Sequence, residues 1–180
     1  MPAKSHRETS QLDKVTSAVM YYFISSLNGV LGRTHLQKLL FLSDLLASRK
    51  FGQPITKMKY VRYTHGPYSK SLDDYIEGLT SSELIEERRF PILTGPEKYY
   101  SRFYQNKMSN VKDFLVQNIG PEKMLLVDEV SQSYGNKSLQ DVLSFVYSLE
   151  EVKNVKFDSP IKMAQEIRPV EEELDDDIPF

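Results

Sequence analysis

One stretch limits the fold more than any other: His35-Leu36-Gln37-Lys38-Leu39-Leu40-Phe41-Leu42-Ser43-Asp44-Leu45-Leu46. As a helix its apolar side chains cover most of the circumference, so it has no face left for water and must lie at the centre of whatever forms around it. Thr34 is the expected start, and Gly52-Gln53-Pro54 the stop.

The rest of the chain supplies elements to surround it. Leu12, Val15, Val19, Tyr22, Phe23 and Leu27 recur at three- and four-residue steps, which predicts a helix capped at Thr9 or Ser10 and closed by Asn28-Gly29. Ile55–Tyr63 is short, β-branched and aromatic, and reads as an extended segment entering a turn at His65-Gly66-Pro67-Tyr68. Ser69 or Ser71 then caps a helix through Leu72, Tyr75, Ile76 and Leu79, and a short helical turn follows at Leu84 and Ile85. Phe90–Leu93 and Tyr99–Tyr104 flank Thr94-Gly95-Pro96-Glu97, the pattern of a β-hairpin with a loop of four residues or slightly more. Three further helices are expected: Asn110–Ile119, one opening at Pro121 with Met124, Leu125, Val127, Val130 and Tyr134, and one capped by Ser138. The fold class is therefore mainly α: a compact helical domain with a small β-hairpin over residues 1–157, and a flexible, disordered acidic tail over 158–180.

Charge separates those two parts. Residues 169–180 hold six acids and no base, and removing them from the 25 acids of the chain leaves 19 against 23 bases, a body of +4. The longest apolar run, Ala18–Ile24, is too short to span a bilayer, and no apolar leader opens the sequence, so a soluble cytoplasmic protein with no membrane partner is expected. The chain has no cysteine, which removes disulfides and thiolate chemistry. His6, His35 and His65 stand about thirty residues apart, without the short spacing of a metal-binding pair, and no glycine-rich phosphate loop occurs. Neither catalysis, metal nor cofactor is expected.

Two binding chemistries stay open. Lys57, Lys59, Arg62, His65 and Lys70 lie near Tyr60, Tyr63 and Tyr68, and Arg88-Arg89 precede the hairpin. Helices followed by a basic hairpin can form a winged-helix DNA-binding regulator, although a +4 body is a weak electrostatic footprint for DNA. Alternatively the same bases alternate with buried aromatics along an exposed strand. Lys59, Arg62, His65, Gly66, Pro67 and Tyr68 would then form a rigid turn that presents an aromatic beside basic groups to a protein partner. Gly66-Pro67 could equally do no more than turn the chain.

Leu36–Asp44, Phe51-Gly52-Gln53-Pro54-Ile55, Tyr63–Ser69 and later Ser133-Tyr134-Gly135-Asn136-Lys137-Ser138, taken in order, resemble the Panacea domain of SocA-like antitoxins over about residues 10–150. The resemblance implies a small helical protein of a type II toxin–antitoxin system that binds and neutralises a cognate toxin. In some relatives it implies delivery of the toxin to a Clp-type protease. Separately, Leu174-Asp175-Asp176-Asp177-Ile178-Pro179-Phe180 resembles the terminal peptide of bacterial single-stranded DNA-binding proteins. That likeness implies docking of Asp175, Asp176, Asp177, Ile178, Pro179 and Phe180 on replication or repair proteins. The chemistry suits it: Phe180 can fill an apolar pocket, Pro179 limits the entropy lost on binding, and the acids speed encounter with a basic rim.

Overall fold

The computed structural model describes residues 12–93 and 99–163. Helix α1 (Lys14–Ser26) and helix α2 (Arg33–Phe51) come first, then a short hairpin of β1 (Val61–Tyr63) and β2 (Gly66–Tyr68). Helix α3 (Leu72–Ser81) leads into a second hairpin, β3 (Ile85–Pro91) and β4 (Tyr99–Gln105). Helices α4 (Val111–Ile119), α5 (Pro121–Tyr134), α6 (Leu139–Ser148) and α7 (Glu150–Lys153) complete the order.

Helix α2 is the centre, as its all-round apolar surface requires. It packs against α1, α5, α6 and β2, and Leu36, Leu39, Leu40, Phe41, Leu42 and Leu45 have no solvent exposure at all. Each such side chain contributes roughly 1.5–3 kcal/mol relative to leaving it in water. Gly52, at φ 75°, closes the helix in the left-handed conformation, which a side chain would resist.

The caps partly follow the sequence. Ser138 caps α6 by accepting from the Asp141 N–H, and Pro121 occupies the first turn of α5. Helix α1 is instead capped by Asp13, whose carboxylate accepts from both the backbone N–H and the hydroxyl of Thr16 at 2.8 Å. The expected caps Thr9 and Ser10 lie outside the described residues. On α5, Leu126 is buried while Leu125 is 57% exposed, reversing the expected choice between these neighbours.

Two extended regions differ from expectation. Ile85 begins a strand rather than ending a helical turn: it pairs with Gln105 and is buried, so a seven-residue ladder outweighs local helical spacing. Ile55–Tyr63 does not simply enter a turn, because Val61–Tyr63 pairs back on Gly66–Tyr68 across a two-residue loop. Both sheets are two-stranded and antiparallel. Beyond Phe157 the chain continues alongside β1. Asp158 N–H donates to the Arg62 carbonyl, Arg62 N–H to that of Ser159, and Ile161 N–H to that of Tyr60.

Candidate functional site

The β1–β2 hairpin gathers most of the residues that the sequence singled out for the body, and α2 fixes it in place. Two polar side chains of α2 reach out from the core to hold it: Gln37 Nε2 donates to the Ser69 carbonyl at 3.1 Å, and Lys38 Nζ to the Pro67 carbonyl at 2.6 Å. On the far side Tyr147 of α6 donates its hydroxyl to the Thr64 carbonyl at 2.9 Å, inside the turn. Gly66 sits at φ 81°, a region L side chains rarely enter, and this lets the chain reverse directly over α6.

Lys38 is the unusual member of this arrangement. Its side chain is among the largest with essentially no exposure, and the Pro67 carbonyl is its sole hydrogen-bond partner among the described residues. Burial, with a smaller push from the nearby Arg62 guanidinium, pulls its pKa from 10.5 down to about 7. Six residues further along α2, Asp44 is also fully buried. It accepts from Ile55 N–H at 2.9 Å, Thr56 N–H at 2.7 Å, the Thr56 hydroxyl and the Tyr60 hydroxyl at 2.9 Å. Burial pushes the Asp44 pKa up and those donors draw it back, while burial and the Asp44 charge hold the Tyr60 hydroxyl well above its ordinary value. The two charged side chains thus fix both ends of the path from Ile55 to Pro67.

The outer face of the hairpin is aromatic and basic. The Tyr63 ring lies 5.3 Å from that of Tyr68 and 5.0 Å from that of Phe157, making a row of three rings. Tyr63 is 44% and Phe157 63% exposed, so this row faces water rather than the core. Arg62 lies over the Tyr147 ring at 4.7 Å, and Lys59 and His65 are exposed. Beneath the turn is a cavity of about 390 Å³ reached by Arg33, Gln37, Lys38, Tyr63, His65 and Tyr68.

Of the six candidates in the body, Arg62, His65 and Tyr68 belong to this hairpin surface, and Lys59 is exposed just before β1. Gly66 and Pro67 are buried and serve the turn. The acidic candidates Asp175, Asp176, Asp177, Ile178, Pro179 and Phe180 lie outside the described residues. Sequence reasoning missed Lys38, Tyr147 and Phe157. Lys38 left a signal, since it and Asp44 are the only charged residues between Thr34 and Ser48 in a helix with no water-facing side. The ring of Phe157 and the hydroxyl of Tyr147 left none, because both act from more than eighty residues away.

The β3–β4 hairpin carries basic groups too, and the two on β3 are engaged by acids of their own strand. Arg88 pairs with Glu86 at 2.9 Å and Arg89 with Glu87 at 3.4 Å. Glu87 also accepts from Arg33 Nε at 2.9 Å. Burial alone would raise its pKa, but Arg33, Ser101 and Arg89 bring it down to about 2.

The body is thus a helical domain whose short hairpin is held from below and turns a row of three rings outward. Among the described residues no group of three His, Cys, Asp or Glu could hold a metal ion, and no helix is long and apolar enough to cross a membrane. The family model for the antitoxin SocA-like, Panacea domain matches residues 36–151, and the chain belongs to that family. The match begins in α2, ends in α7 and includes both hairpins. A search of curated proteins gives no match.

Proposed function

We propose that this protein is the antitoxin of a type II toxin–antitoxin pair and neutralises a cognate toxin by docking it on the β1–β2 hairpin. The observation that carries the reading is the exposed row Tyr68–Tyr63–Phe157 beside Arg62 and His65, on a turn already fixed from below. Aromatic and arginine side chains on a rigid base supply large contact area at little entropic cost, which is how most interface energy is concentrated. Catalysis has no part in this mechanism; the protein acts by occupancy. The segment Asp175–Phe180 fits a second engagement, with replication or repair proteins that bind the terminal peptide of the single-stranded DNA-binding protein.

The DNA-binding reading has less support, because Arg88 and Arg89 are paired with acids on their own strand. Co-expression with the product of the neighbouring gene tests the proposal. Growth should be restored by the native protein and lost again with Tyr63→Ser/Phe157→Ser, two exposed sites whose change leaves the core intact. Toxicity that is the same with and without the native protein refutes it.

A further inference from the structure

A second and larger cavity, about 940 Å³, opens on the other side of the α2 N-terminus. Its walls are the start of α2, the outer strand β4 and the turn from α5 into α6. Arg102 and Lys137 line it, and neither has an ion pair among the described residues. The acids nearby are already engaged: Glu87 and Asp73 by Arg33, and Asp141 by the Ser138 hydroxyl at 2.6 Å. Gly32, at the N-cap of α2, offers no side-chain acceptor, so the first N–H groups of that helix also face an uncapped end. Val30, Leu139, Tyr99 and Tyr100 add apolar wall to the same cavity, with Tyr99 and Tyr100 each 46% exposed. The site therefore suits a ligand that is anionic along one part and apolar at another.

The chain itself contains such a segment. Residues 169–180 carry six acids and end in Ile178-Pro179-Phe180, while the remainder of the chain is +4. The segment after Phe157 runs antiparallel to β1, meeting Arg62 at Ser159 and Tyr60 at Ile161, so Met163 lies at the end of β1 opposite Tyr63 and Thr64, which wall the smaller cavity, and the length of the tether decides whether the segment can return to it. The two cavities share Arg33 and Thr34, so they adjoin at the start of α2. Seven residues lie between Met163 and Glu171, and the eight peptide steps can span about 26 Å, on the scale of a body of this size.

We propose that the segment Glu171–Phe180 docks in this cavity of its own chain, with its carboxylates against Arg102 and Lys137 and its Ile178-Pro179-Phe180 end against Leu139 and Val30. Tethering places the segment at roughly millimolar effective concentration, so even a site with a dissociation constant of about 0.1 mM would be about nine-tenths filled. Docking withholds the segment from any outside receptor and covers the α2 N-terminus until a stronger basic partner competes. The inference stands whether or not the β1–β2 hairpin binds a toxin.

The absence of cysteine makes a clean test possible in the full-length chain. A nitroxide placed at Glu171→Cys should broaden the amide signals of Ser101, Arg102 and Lys137, removing roughly half or more of their intensity if the docked state dominates. The broadening should vanish in 1 M salt, where the screening length falls to about 3 Å. It should vanish also in Arg102→Glu/Lys137→Glu, and in Asp175→Asn/Asp176→Asn/Asp177→Asn, which leaves the folded body unchanged. Broadening confined to the neighbourhood of Met163, or unaltered by both sets of substitutions, overturns the proposal. So does broadening that arises only when spin-labelled protein is mixed with a separate isotope-labelled copy, which would place the segment on a second molecule.

Discussion

The two hairpins of this protein are stabilised in opposite ways. The β3–β4 pair runs seven residues on each strand and supplies its own ladder, burying Ile85 and Phe103 and pairing the charges of β3 along that strand. It is further joined to the α1–α2 loop through Phe103, which donates to the Leu31 carbonyl and accepts from Gly29. The β1–β2 pair has three residues on each strand, too few to hold together alone. It exists because α2, α6 and the segment 158–161 hold it from outside. The contrast has a consequence for function. The long hairpin pairs Arg88 and Arg89 with acids of its own strand, whereas the short one, held by its backbone, leaves Tyr63 and His65 exposed.

The largest effect should come from removing the buried carboxylate that fixes the approach to β1. Asp44→Ala strands four donors, two backbone N–H groups and the hydroxyls of Thr56 and Tyr60, in a site with no solvent exposure. A loss on the order of 3–5 kcal/mol is expected, read from the urea midpoint. Amide exchange should show protection falling first between Ile55 and Tyr68, while β3 and β4 hold. Equal loss of protection in both hairpins would break the contrast.

What the sequence made legible follows the same division. Helix α2, the Pro121 start of α5, the Ser138 cap and the second strand of the long hairpin were readable because periodicity and local hydrogen bonding determine them, whereas its first strand, expected at Phe90–Leu93, runs Ile85–Pro91. The short hairpin was not. Three-residue strands show no period, and its anchors Gln37, Lys38 and Tyr147 are remote in sequence. Helix α7 is four residues long, below the length at which spacing carries information. Ile85 misled because Leu84-Ile85 looks the same in a helical turn as at the start of a strand, and the pairing with Gln105 decides it. In the candidate surface the exposed bases were visible from composition. The side chains that make it rigid were hidden, apart from two charges standing where an all-apolar helix should have none.

Lys38 offers a smaller and more specific test. In the unfolded chain its amine keeps a proton up to about pH 10.5, whereas in the fold it releases it near pH 7. Between those values the unfolded state binds more protons, so stability should rise with pH, by at most ~1.4 kcal/mol per unit. Urea titrations of the native protein from pH 7 to 9.5 should show that rise, and Lys38→Met should flatten it. A slope that survives the substitution would mean the amine reaches water, and the short hairpin would then rest on Gln37, Tyr147 and the segment 158–161.

The smallest effect is expected on the other hairpin. Arg88 and Glu86 are two residues apart on one strand face, about half exposed, with the Arg88 guanidinium also 4.3 Å over the Tyr104 ring. Water solvates both partners nearly as well as they solvate each other, and the cross-strand neighbour of Arg88 is a second cation, Arg102. Arg88→Ala therefore relieves one repulsion as it removes one attraction, and the thermal midpoint should not move measurably. A clear drop would show that the long hairpin depends on its surface charges. Such a drop would also show that its pairing is not a by-product of a ladder that already holds, but part of what holds it.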